Sequence, residues 1–179
     1  MGPPEYATGR RTAAAVASGT VSRGDWITFV RFLHVLGAVV ALGFSLSYGL
    51  WISRGDAVGG QARPFVLRTI SWIDRRLTTP AYVLQLLTGL VLVFLTDVRR
   101  FQQLWLALSL GLYALLTVLA IVAYAPAHRR QTALAERLAT GEAVEADYVE
   151  AGTRARRLGL LVAGLTLVIL ALMVFKPTL

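Results

Sequence analysis

Four long apolar runs leave this chain few ways to fold. Ile27 to Ser53, Pro80 to Leu95, Leu104 to Tyr124 and Leu158 to Phe175 each lie near the roughly 20 residues that cross a hydrocarbon layer. There a chain must satisfy its own N–H and C=O groups, and a single apolar run does so only as a helix. The expectation is therefore all-α: a transmembrane four-helix bundle with spans at about 27–53, 79–97, 103–125 and 157–175, in one membrane domain over 26–177. Composition agrees, with 56% hydrophobic residues among 179 and only 16% charged. A net charge of +8 could suit nucleic acid, but the basic residues stand at the ends of the runs, where positive-inside bias and lipid phosphates put them. The partner this predicts is the lipid bilayer, not nucleic acid. No cysteine is present, which removes disulfides, thiolate metal sites and c-type haem attachment.

Residues 1–25 are rich in Ala, Gly, Thr and Ser and read as a flexible tail, with the first span serving as an uncleaved signal anchor. After that span, Val66, Ile70, Ile73 and Leu77 share a face, which predicts a short helix lying in the headgroup region. Thr79 is placed to cap the second span, with Pro80 at its first helical position. The third span ends at Ala125 and Pro126, and the polar stretch to Arg157 reads as a helical connection broken at Thr140 and Gly141. Arg54, Arg63, Arg68, Arg75, Arg76, Arg129, Arg130, Arg137, Arg154, Arg156 and Arg157 fall at one end of the bundle, against Arg10, Arg11, Arg23, Arg99, Arg100 and Lys176 at the other. That bias predicts a multi-pass protein of a bacterial-type inner membrane, with loops 54–78 and 126–156 cytoplasmic and both termini outside.

Function concentrates on the first span. Ile27, Arg31, His34, Ala38, Ala41, Ser45 and Tyr48 follow helical spacing, so one face collects an imidazole, two small residues and two hydroxyls. In hydrocarbon such a face points at protein, because small residues admit neighbouring helices and polar ones need partners. Gly37, Ala38 and Ala41 would allow pairing within one subunit or between two, so a homo-oligomer or a membrane partner protein stays open. Gln85 and Thr88 read as interhelical hydrogen bonds, and His128 as an interfacial residue near lipid phosphate. Counting depth at about 1.5 Å per residue puts His34 level with Ser109 to Tyr113 and with Leu170 to Met173, far from His128. No carboxylate lies inside a span. The groups left near His34 are Arg31, Ser109, Tyr113 and the thioether of Met173, and a His–Met pair is chemically adequate for b-type haem.

The run RFLHVLGAVV, with a cation three residues before the histidine, resembles the first helix of the bacterial haem-dependent protoporphyrinogen oxidase. IDRRL followed by TPAYVLQLLTGL, and the closing VFKP, are similar to further short motifs of that family. In length and texture the chain more closely resembles the predicted integral membrane proteins of the domain-of-unknown-function 2269 family, distant relatives of that oxidase and of the copper-resistance D membrane proteins. The resemblance implies His34 as an axial ligand to haem iron and Arg31 as a cation for a propionate or a substrate. It departs from the oxidase where SRGDA stands in place of a second histidine and where Ser109 stands in place of a lysine. Two readings follow. One is a haem-binding membrane protein with a redox role, in which His34, Arg31, Tyr113 and Met173 form the cofactor site. The other is a cofactor-free accessory or transport protein whose polar residues only knit the bundle.

Overall fold

In the computed structural model, which describes residues 22–96 and 104–176, every regular element is helical. Helix α1 is Arg23–Val58, α2 Ala62–Ile73, α3 Thr79–Thr96, α4 Leu104–Leu119, α5 Ala125–Ala139 and α6 Glu145–Phe175. Two π turns, Asp74–Thr78 and Ala120–Tyr124, join α2 to α3 and α4 to α5, so the chain forms four rods. Each is long and apolar enough to cross a membrane. The first rod opens on a reciprocal cap, in which the Ser22 hydroxyl accepts from the Asp25 N–H and the Asp25 carboxylate accepts from the Ser22 N–H. Residues 1–21 of the expected tail, Arg99 and Arg100 of the second connection, and Pro177 lie outside the described residues, whereas residues 22–25 of that tail already form the cap and first turn of α1.

The rods outrun the bilayer. The 36 residues of α1 measure roughly 54 Å at about 1.5 Å each, against about 30 Å of hydrocarbon. The surplus gathers at the arginine-rich end, where Leu67, Ala135 and Tyr148 form a separate small core with Ile52, Leu134 and Leu138. Along the rods, Phe32, Val39, Leu87, Phe94, Leu115 and Val118 are exposed, as side chains facing acyl chains would be.

Two expectations change here. The helix expected to lie in the headgroup plane is instead the first part of the second rod, continuous with the span after it, and its buried residues are Pro64, Leu67 and Ile70, of which only Ile70 belongs to the expected face. Neither Pro80 nor Pro126 marks a helix end. Thr79 keeps helical dihedrals (φ −62°, ψ −48°) and gives its N–H to the Asp74 carbonyl, five residues back, while Ala125 does the same to Ala120. In a regular helix each proline ring would clash with the carbonyl four residues earlier, that of Arg76 or Val122. The wider π turn immediately upstream relieves that clash in both rods, with identical spacing from turn to proline. The predicted break at Thr140 and Gly141 is present as the turn between α5 and α6.

Backbone packing is closest within two hairpins, α1 against α3 and α4–α5 against α6. Gly37 is what lets α1 approach α3, since a Cβ there would stand 3.1 Å from Gln85 Oε1 and 3.3 Å from the Ala81 carbonyl oxygen. This stretch of the small-residue stripe is thus used inside the subunit. The hairpins come together at the arginine-rich end, where α2 meets α5, and within the membrane they leave a space between them.

Candidate functional site: a cavity between the hairpins

That space is a cavity of about 90 Å³ with an almost wholly apolar wall. All four rods line it. His34, Tyr113 and Met173, three of the four residues expected to hold a cofactor, stand on its wall, and Ser109 of α4 joins them. The fourth, Arg31, is exposed and is not part of the lining.

His34 is fixed by α3. Its Nδ1 lies 3.0 Å from Thr88 Oγ1, and the Thr88 hydroxyl is itself committed to the Leu84 carbonyl at 2.6 Å. Thr88 therefore accepts, and His34 Nδ1 carries the proton. In the neutral ring Nε2 then holds the lone pair. Its protein neighbour is the Gln85 amide nitrogen at 3.4 Å, a long contact. Gly89 completes the seat: a Cβ at this position would come within 3.0 Å of His34 Cε1. An imidazole with Nδ1–H held by a neighbour and Nε2 left as acceptor is the form that ligates metals. Among the described residues, no group of three or more His, Asp or Glu side chains could hold a bare ion, so a metal at His34 would have to bring its other ligands with it.

The opposite end of the cavity is tied across the hairpins by Tyr82. The Tyr113 hydroxyl donates to the Tyr82 carbonyl at 2.6 Å, while the Tyr82 hydroxyl meets Thr166 at 3.3 Å and Ser45 at 3.4 Å. Neither Tyr82 nor Thr166 stands out in the sequence, because a lone hydroxyl inside an apolar run gives no periodic signal.

A second polar cluster lies nearer the arginine-rich end and was also not anticipated. Tyr48 of α1 donates to Asp74 Oδ1 at 2.7 Å and shares a hydrogen bond with Thr78 at 2.7 Å. Three residues before Asp74, Ser71 meets His128 Nε2 at 3.1 Å, and Tyr124 stacks on the His128 ring with centroids 5.8 Å apart. His128 is only 5% exposed. It is thus buried where α5 meets α2 rather than turned to lipid phosphate, because the Ser71 hydroxyl of facing α2 and the Tyr124 ring one turn earlier on its own rod desolvate it. A third group, outside the bundle core, joins Arg63 to Glu145 at 2.8 Å and to Asp56 at 3.6 Å, with the guanidinium 5.0 Å over the Tyr148 ring.

Four apolar helical rods enclosing a polar-seated cavity define a polytopic integral membrane protein. More particularly, the chain belongs to the family described as predicted integral membrane protein DUF2269, whose family model matches residues 28–177. No curated protein and no solved structure matches it.

Proposed function

We propose that this chain is a membrane-embedded binding protein whose cavity between the two hairpins takes an apolar ligand held at His34 Nε2. The observation that carries the proposal is the Thr88 hydrogen bond. It fixes the proton on Nδ1 and so leaves an acceptor at the edge of an otherwise apolar space. Small-molecule sites in proteins have this character, apolar walls with few polar groups to set orientation.

B-type haem is one candidate for that ligand, and the motifs around His34 that resemble the haem-dependent oxidase support it. The donors suit: the imidazole faces the cavity and the Met173 thioether shares its wall. The space does not. About 90 Å³ is less than the roughly 150 Å³ that takes one benzene, so a tetrapyrrole requires the hairpins to part. Arg31, outside the lining, could reach a propionate only at the rim. A second reading, a cofactor-free accessory or transport protein, draws on the same hydrogen bonds to Thr88 and Gln85, which satisfy the ring without any ligand.

The test is an absorption spectrum and a native mass spectrum of protein purified after expression with ample haem, for the wild type and for His34→Ala. A Soret band lost in His34→Ala establishes haem. A colourless protein with a bound small molecule lost in His34→Ala retains the ligand site with another occupant. Colourless, ligand-free protein of both kinds leaves the bundle reading. The proposed setting is a bacterial-type inner membrane with the arginine-rich layer in the cytoplasm, supported by the exposure of Arg75, Arg76, Arg129, Arg130, Arg156 and Arg157 at that end.

A further inference from the structure

The two π turns and the polar cluster beside them are unexplained by a ligand at His34. Single π turns inside α-helices recur at functional sites, where the extra residue re-aims side chains. Here they have that effect twice. The first brings Asp74 and Thr78 onto the face that already carries Ser71, so three polar groups of one rod look at Tyr48 of α1 and at His128 of α5. The second carries Tyr124, which stacks on His128 one turn later. Ser71 gives its proton to the Leu67 carbonyl at 3.0 Å, so it accepts from His128 Nε2–H, which leaves Nδ1 as the nitrogen able to take a further proton.

The burial pattern gives the cluster two ends. Tyr48, Thr78 and His128 are buried, whereas Asp74 is half-buried and next to the exposed Arg75 and Arg76. Ser71, which holds His128 Nε2, and Asp74 lie about one helical turn apart on the same rod, so the carboxyl group and the imidazole meet one interface, where the charge of each acts on the other. On the membrane side, Ser45 and Tyr82 lie one helical turn beyond Tyr48 and Thr78, and Tyr82 forms part of the cavity wall.

We propose that Asp74 and His128 form a coupled proton-binding site at the arginine-rich end of the bundle, meeting water through Asp74 and the bundle interior through Tyr48 and Thr78. The ligand of this site is a proton taken up by the carboxyl group or by the imidazole, each changing the other's affinity for it, and no metal or cofactor is required. The titratable groups that face it are Tyr48 from α1 and Tyr124 from the third rod. From α6, Gly159 packs on Tyr124, and the arginines of that helix at 154, 156 and 157 are exposed. The site stands whether or not the cavity binds a ligand.

The experiment is a pH titration of the full chain in lipid nanodiscs, read by the infrared carbonyl stretch of protonated carboxyl groups and by NMR of isotope-labelled histidine. Asp74→Asn and His128→Gln assign the two signals. Interacting sites titrate as a pair, so each substitution moves the midpoint of the surviving partner by about one pH unit or more. Losing the imidazolium raises the Asp74 midpoint, and losing the carboxylate lowers that of His128. Should Asp74→Asn fail to fold, the Asp74 band in His128→Gln still decides. Tyr48→Phe, which removes a donor to the carboxylate, gives a second reading by raising the Asp74 midpoint. Midpoints that ignore the partner's substitution, or an imidazole and a carboxyl that never titrate, overturn the proposal and leave only hydrogen bonds between helices.

Discussion

The hydroxyl of Tyr113 reaches across the bundle to the main-chain carbonyl of Tyr82, 2.6 Å away, and closes one end of the cavity beside His34. It joins the second hairpin to the first within the membrane, beside the longer contact of the Tyr82 hydroxyl with Thr166. Tyr113→Phe removes that tie and little else. The expected cost is small, about 0.6 kcal/mol and at most about 1.7, as for other interhelical hydrogen bonds in bilayers. Thermal unfolding in detergent measures it, and a loss far above that range would mean that the hydroxyl carries more than this bond.

Thr88 decides which nitrogen of His34 carries the proton. Thr88→Val keeps the shape of the side chain and removes its oxygen, so the ring no longer has a fixed tautomer. Metal affinity falls about 10- to 100-fold when such a partner is lost. If the ligand is haem, titration of the purified variant shows that weakening with the Soret band kept, whereas His34→Ala abolishes the band.

Two glycines in neighbouring helices separate close approach from helix propensity. At Gly89 a methyl group would press within 3.0 Å of His34 Cε1, and the ring cannot retreat without breaking its contact with Thr88. At Gly43 a methyl group meets nothing within 4 Å. Gly89→Ala is therefore expected to destabilise by about 1 kcal/mol or more, as overpacking does. Gly43→Ala should be neutral or stabilise by up to about 1 kcal/mol. Melting temperatures moving the same way in both variants would contradict the packing at His34.

The extramembrane layer allows a comparison of two partners in one ion pair. The Glu145 side chain is 55% exposed, so Glu145→Gln is expected to cost at most about 1 kcal/mol and less in high salt. Arg63 is 18% exposed, also faces Asp56, and covers the Tyr148 ring. Arg63→Ala removes packing as well as charge and is expected to cost more than Glu145→Gln, with a part that salt does not screen. Equal losses at both positions, both erased by salt, would reduce the contact to a surface pair.

Where the helix faces and helix ends read from the sequence part company with the structure, the π turns are a main cause. The apolar runs were enough to define four helices, and the spacing from His34 to Tyr48 was enough to select the face of α1 that meets α3. A π turn adds a residue, and one residue rotates everything beyond it by about 100°. A face drawn through Val66, Ile70, Ile73 and Leu77 with a uniform period therefore fails where it runs into the turn: Ile70, before it, is buried, whereas Leu77, inside it, is exposed. Proline compounds this, since Pro80 and Pro126 read as helix ends by every local rule, and only the wide turn upstream lets the rods continue. Asp74 was hidden by its neighbours: beside Arg75 and Arg76 it reads as a solvated charge, and its contact with Tyr48 joins residues 26 positions apart. For the cavity, the depth count from His34 needed only the rise of a helix, whereas Tyr82 and Thr166 required the packing of two hairpins.

Orientation in the membrane follows from the same layer and can be read by insertion. Gly141 sits at the α5–α6 turn with φ of +81°, exposed and beyond the small core of Leu67, Ala135 and Tyr148, so the chain there tolerates an inserted domain. A fluorescent reporter placed after Gly141 is expected to be bright, and a phosphatase that is active only outside the cytoplasm is expected to be inactive there. Fusions after Leu179 should show the reverse. Arginines resist translocation, and those of the two loops outnumber the basic residues at the other end, so positive-inside bias predicts that the layer faces the cytoplasm. An active phosphatase after Gly141 would invert the assignment, and Asp74 would then meet water on the outer face of the membrane.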